Sequence, residues 1–277
     1  KMIRTLEIHV FPRLGQEPIA KLTAVKTIQA LQPLVAEEKY EVLKRCCQIL
    51  NRIMNFAVNT GVVHHNCLVK ISDAFRAPKS QHMQSIKPDE LPDLMKAVFA
   101  SNLNLITRFC LEWQLHTMVR PSEAAKAQWQ EIDLEKSQWV IPAEKMKMRK
   151  EHIVPLSRYL LALLAKLKGI SGDRPFLFPS RNRPSTHVNT ETVNKALKRI
   201  GFAKRLVAHG FRSLASTTLN EAGQDPDVIE ACLAHVGSDA VRRVYNRTDY
   251  LERRRELMDW WSAYIVKASS GNLSLVG

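Results

Sequence analysis

Arg120, Lys147, His209, Arg212, His235 and Tyr245 follow one another in that order through the C-terminal two-thirds of the chain. Each residue type has a use in metal-free attack on a phosphodiester. Two guanidiniums can hold the non-bridging oxygens of a phosphate, and a lysine and two histidines can move protons or donate hydrogen bonds. A tyrosine hydroxyl can act as the nucleophile. Cutting of DNA is therefore the first chemistry that the sequence suggests.

The charge balance agrees with a polyanionic partner. The 277 residues include 41 Lys+Arg against 27 Asp+Glu, a formal net charge of +14. Such an excess gives sequence-independent affinity for DNA through counterion release. A hydrophobic content of 45% is ample for one or two packed cores and excludes a disordered tail. No apolar run is long enough to span a membrane, and Lys1-Met2-Ile3-Arg4 opens no signal-peptide core, so a cytoplasmic protein is expected. Cys46, Cys47, Cys67, Cys110 and Cys232 are odd in number and lack paired spacing, which predicts reduced, packed thiols rather than disulfides. His64, His65 and Cys67 have no second ligand pair at suitable spacing, so no metal is expected.

The elements that must position these groups can be sketched from periodicity. Apolar residues recur at helical spacing from about Ala20 to Val63, predicting two or more helices, the first short, kinked or split at Pro33 and the second ending at Asn59-Thr60-Gly61. Lys21, Lys26, Lys44, Arg45 and Arg52 lie along them and are candidate DNA contacts. A polar, proline-containing stretch follows Phe75, and a second domain is expected to begin at residue 85, with Pro88 in a first helical turn. An apolar helix from Leu103 to Met118 then stops and restarts after Arg120. Glu123 lies one turn on, where it can orient the guanidinium. Short runs at 131–134, 138–142 and 152–155 predict a small antiparallel sheet. The loop between the last two is dense in cations, with Lys147 among them, and its Lys145 and Arg149 are further candidate DNA contacts. Helices are predicted for Leu156 to Lys168 and Asn189 to Ile200. His209 and Arg212 share a face at another helix start, and a short helix is expected to end at Gly237 with His235 at its C-terminus.

Taken together, Arg120-x-x-Glu123, His209-x-x-Arg212, Leu233-Ala234-His235 and Tyr245 resemble the motif series of the tyrosine recombinases. The hairpin run Ile141 to Arg149 with His152-Ile153-Val154-Pro155, and the tail Tyr245-Asn246-Arg247-Thr248-Asp249-Tyr250, are similar to the integrases of P4-type phages and pathogenicity islands. The likeness covers roughly residues 90 to 265. It implies a mainly α fold with a small antiparallel β-sheet in two domains: a helical core-binding domain over residues 1–84 and an α+β catalytic domain over 85–277. An N-terminal arm-binding domain would be absent, in keeping with a chain that starts at Lys1.

By the same resemblance, Arg120 and Arg212 would clamp the scissile phosphate and Lys147 would protonate the leaving 5′-hydroxyl. His209 would assist proton removal, His235 would hydrogen-bond the phosphate, and Tyr245 would form a 3′-phosphotyrosine. No cofactor is implied. The expected partners are double-stranded attachment sites, a homotetramer on paired sites and DNA-bending accessory proteins, in integration or excision of a mobile element. Two alternatives remain: a DNA-binding or architectural protein with vestigial catalytic residues, and a type IB topoisomerase-like relaxing enzyme.

The chain departs from the common pattern in three places. Met118-Val119 stands where many members have Gly-Leu, Ser213 where a histidine follows the second arginine, and Leu-Ala-His where Leu-Gly-His is usual. The His-to-Tyr interval is one residue longer than in many members, which leaves Tyr250 as a rival nucleophile. The amphipathic run Leu251 to Ile265 either packs in cis or is lent to a neighbouring protomer, and the resemblance favours exchange.

Overall fold

The computed structural model describes residues 2–75, 83–235 and 250–269, and the chain divides into two units, Lys1–Gln81 and His82–Gly277. In the first unit, helices α1 (Met2–His9), α2 (Phe11–Leu14), α3 (Ala24–Ala36) and α4 (Tyr40–Asn59) enclose Leu6, Val10, Leu31, Leu34, Cys46, Leu50 and Met54. Thr23 starts α3 by accepting from the Lys26 amide at 3.3 Å. The expected split at Pro33 does not occur. Pro33 lies in the last turn of α3, where the missing amide forfeits a single helical bond. Helix α4 stops as its sequence suggests, with Gly61 in the left-handed region at φ 75°.

The second unit is built around α6 (Leu105–Thr117), whose residues from Phe109 to Thr117 are all buried. Helices α7 (Pro121–Ala125), α8 (Arg158–Ser171), α9 (Thr192–Leu197), α10 (Gly210–Glu221) and α12 (Leu251–Ala268) pack on it. A helix buried all round must satisfy its polar groups inside the protein. Gln114 accordingly donates to the Ala208 carbonyl at 2.9 Å, and Thr117 to the Trp113 carbonyl at 2.7 Å. Helix α5 (Leu91–Phe99) precedes α6 and α11 (Pro226–Cys232) follows α10.

Strands β1 (Ile132–Asp133), β2 (Gln138–Ile141) and β3 (His152–Pro155) form an antiparallel sheet in the order β1-β2-β3. Its register pairs Trp139 with Val154 and Ile141 with His152, so alternate residues of β2 and β3 face the core. Several element ends differ from expectation, two of them beside the site residues. Glu131 belongs to a 3-10 turn rather than to β1. Helix α11 ends at Cys232, closed by left-handed Ala234 at φ 47° and by the His235 amide bonding back to the Glu230 carbonyl at 3.0 Å. Gly237, the expected stop, lies outside the described residues.

Helix α12 packs in cis, against the expectation of exchange. Leu257, Met258, Trp261 and Ile265 are at most 3% exposed in the core of the same chain. Trp261 Nε1 donates to the Leu115 carbonyl of α6 at 2.9 Å, and the Ser157 and Ser262 hydroxyls meet at 2.8 Å. The apolar stripe that could have met a neighbour is already occupied.

All five cysteines are free thiols; burial pushes Cys47 up to about 11 and Cys110 up to about 12, so both stay protonated. Among the described residues no cluster of His, Cys, Asp and Glu could hold a metal, and no helix is long and apolar enough to cross a membrane.

Candidate active site

The break between α6 and α7 sets the first arginine. Met118 ends α6 in the left-handed region at φ 56°, Arg120 is extended, and Pro121 opens α7. The Glu123 carboxylate then reaches back one turn, accepting from the Arg120 amide at 2.8 Å and from Arg120 Nη1 at 3.0 Å. Glu123 is buried, while the Arg120 side chain retains 17% exposure. The guanidinium is therefore oriented from behind, with donors left for a ligand.

Arg212 enters from the first turn of α10 and is 4% exposed. Nη1 donates to the Met118 carbonyl at 2.6 Å, and Nη2 donates to the Leu233 carbonyl. Two of its five N–H groups are thus used, and Nε has no partner among the described residues. Burial, and then the neighbouring charge of Arg120, lower its pKa to about 10, with Glu123 and Glu230 opposing. It remains a cation at neutral pH.

His209 lies one turn before Arg212, half-buried. Burial, then Arg212 and Arg120, hold its pKa below the usual 6.5, so the ring is a neutral proton acceptor at pH 7. His235 lies just beyond the α11 turn, with Nδ1 2.9 Å from Glu230 Oε2, which leaves Nε2 for another partner. His209, Arg212, Ser213, Ser216, Thr217, Leu233 and His235 line one cavity of about 280 Å³. Four of the six candidate groups, Arg120, His209, Arg212 and His235, thus gather around one positive site.

The other two stand differently. Lys147 is exposed on the β2–β3 loop, in no ion pair or hydrogen bond with the described residues. Tyr245 lies outside the described residues. The rival Tyr250 is in the left-handed region at φ 51° immediately before α12, its ring packed on the core and 5.6 Å from the Arg253 guanidinium.

The candidate DNA contacts are also of two kinds. Lys21, Lys44, Arg45, Arg52 and Arg149 are exposed, and Arg45 and Arg52 share one face of α4 along a groove with Gln48 and Asn51. Lys26 and Lys145 are engaged, in ion pairs with Glu17 and Glu131 respectively.

Two neighbours of the site were missed in the sequence. His152 on β3 is 8% exposed, hydrogen-bonded to the Cys232 backbone, and pushed down to about 3 by burial and then by Arg254, Arg212 and Arg120. Its alternation with core-facing Val154 was the available signal. Arg254 on α12 is 4% exposed and donates to the Ile153 carbonyl. It falls on the same helical stripe as Met258, Trp261 and Ile265, but its place in an Arg253-Arg254-Arg255 run hid it.

The chain is similar to known proteins over nearly its whole length. The chain is 47% identical over 272 residues, 98% of its length, to Prophage integrase IntA of Escherichia coli (strain K12). It is 32% identical over 292 residues, 100% of its length, to the integrase of Enterobacteria phage P4. It spans 66% of each of these relatives. In fold it is similar to a lambda integrase dimer bound to a COC' core site, with TM-score 0.68, 19% identity, and coverage of 90% of this chain and 87% of that one. It is also similar to the Tn1549 transposon integrase in complex with a circular intermediate DNA, with TM-score 0.65, 14% identity, and coverage of 92% and 91%. A family model described as the phage integrase central domain matches residues 1–74, and one described as the phage integrase family matches residues 84–252. The chain belongs to the phage integrase family.

Proposed function

We propose that this chain is the DNA-cleaving part of a site-specific recombinase that cuts and rejoins DNA through a 3′-phosphotyrosine, integrating or excising a mobile element. The observation that carries this reading is the convergence of Arg120, Arg212, His209 and His235 on one positive site. In it, Arg120 and the free donors of Arg212 hold the scissile phosphate and stabilise charge in the pentavalent transition state. Neutral His209 takes the proton of the attacking hydroxyl, and His235 Nε2 meets the phosphate. Tyr245 Oη bonds to phosphorus, the bond to O5′ breaks, and Lys147 gives O5′ its proton. The phosphotyrosine conserves the bond energy, so rejoining needs no ATP.

Residues 1–84 would serve as the core-binding domain, with Arg45 and Arg52 of α4 against the DNA backbone. Residues 85–277 would be the catalytic domain. Lambda integrase has been solved as a tetramer bound to a Holliday junction, which supports a homotetramer on paired sites here. The reaction would take place in the bacterial cytoplasm, with DNA-bending proteins as accessories. The test is a recombination assay with two attachment sites on one supercoiled plasmid. A recombinase yields recombinant products only when both sites are present, whereas relaxation of any plasmid without site pairing would identify a topoisomerase. DNA binding without either product would identify a vestigial binder.

A further inference from the structure

Lys145 stands two residues before exposed Lys147, but its own ammonium is engaged. It is ion-paired with Glu131 and donates to the Lys126 carbonyl at 3.2 Å. Glu131 is 7% exposed, and its second oxygen accepts from Trp139 Nε1 at 3.0 Å and from the Gln128 amide at 3.1 Å. The next residue, Met146, is 6% exposed and belongs to the core cluster. The Arg149 amide then donates to the Met146 carbonyl at 3.1 Å, closing a turn with Lys147 and Met148 exposed at its apex. The loop carrying Lys147 is therefore fastened at consecutive residues, once by a buried carboxylate and once by a side chain in the core.

The geometry points to Glu131 and Lys145 as positioning residues for Lys147, which extends the reading of Lys147 as the general acid. Ordering a residue costs backbone entropy, and fastening residues 145 and 146 meets that cost in the folded protein before DNA binds. Lys145 is thus a support of the hairpin rather than a phosphate contact. Cutting the Glu131–Lys145 pair would leave Lys147 in place chemically but less often in reach of O5′.

The test compares cleavage of a nicked duplex with the natural 5′-bridging oxygen and of one with sulfur there. When the P–S bond breaks, sulfur leaves as thiolate and needs no proton from the protein. Lys147→Ala should slow the oxygen substrate by about 10²–10⁴-fold and recover on sulfur. Lys145→Met should slow the oxygen substrate by at least about tenfold and also recover to within about threefold of the unaltered protein on sulfur. Glu131→Gln, close to isosteric, carries the same comparison if Lys145→Met fails to fold. Equal slowing on both substrates would mean that the pair serves stability alone, and no slowing on oxygen would remove its role; either overturns the inference. Failure of Lys147→Ala to recover on sulfur would instead overturn Lys147 as the acid.

Discussion

Arg212 Nη1 donates to the carbonyl of Met118 at 2.6 Å, and Met118 is the residue at which α6 ends in the left-handed region. The same guanidinium donates through Nη2 to Leu233, immediately before left-handed Ala234. One buried cation therefore holds the two turns that deliver Arg120 and His235. Replacing it affects fold and chemistry together. Arg212→Lys keeps the charge but cannot reach both carbonyls and a phosphate, since an ammonium has no planar fork. Cleavage should fall by about 10²-fold or more, and stability by about 1–3 kcal/mol for the carbonyl left unpaired. Single-turnover cleavage and urea unfolding measure the two effects; a variant with full activity would refute the clamp.

Glycine substitutions at the two turns should have opposite signs. Left-handed geometry costs a residue with a Cβ about 1–2 kcal/mol, partly offset because glycine loses more entropy on folding. Ala234 has little side chain to lose, so Ala234→Gly should stabilise the protein by about 0.5–1 kcal/mol. Met118 is 0% exposed, and Met118→Gly removes a core side chain worth about 2–5 kcal/mol, more than the strain it relieves. Denaturation of both variants, read as change in midpoint at constant slope, checks the pair of signs.

The pH profile of cleavage should reflect His209. Its pKa is held below 6.5 by burial and by Arg212 and Arg120, so the neutral base persists to lower pH than an ordinary histidine allows. The acid limb of single-turnover cleavage should therefore have its midpoint below pH 6.5, and His209→Gln should remove that limb while lowering the plateau by about 10²-fold. A limb centred above 6.5 would show that the ring is not the base.

Two buried histidines should make the second unit acid-sensitive. His116 and His152 are both pushed from 6.5 to about 3, His116 by burial and His152 by burial and then Arg254. Below pH 6.5 the unfolded chain binds protons that the folded chain refuses. Stability is thus complete above pH 6.5 and falls as pH drops toward 3, by about 1.4 kcal/mol per pH unit for each ring. His116 has no partner on either ring nitrogen among the described residues, so His116→Leu should fold and should lower the slope between pH 6 and 5. Urea unfolding at those two values measures it; an unchanged slope would contradict the assignment.

Much of this arrangement is written in local spacing. The reach of Glu123 to Arg120 is one helical turn, the break before Pro121 follows from its ring, and the β2–β3 pairing follows from alternating apolar runs. What was not legible depends on residues far apart in sequence. Lys145 reads like any loop cation until Glu131 is brought to it, and Arg254 like any surface arginine until the Ile153 carbonyl is. The cis packing of α12 was open for the same reason: a stripe of Leu257, Met258, Trp261 and Ile265 specifies an apolar partner but not whose. Helices α1 and α2 escaped notice because each is too short for its few apolar residues to show a period.

The most direct measurement is formation of the covalent intermediate on nicked suicide duplexes carrying candidate core sites, with EDTA present and ATP absent. An SDS-resistant protein–DNA adduct should form and map by peptide mass to Tyr245, and it should vanish in Tyr245→Phe. An adduct on Tyr250, or none from protein that demonstrably binds the duplex, would contradict Tyr245 as the nucleophile of a 3′-phosphotyrosine mechanism.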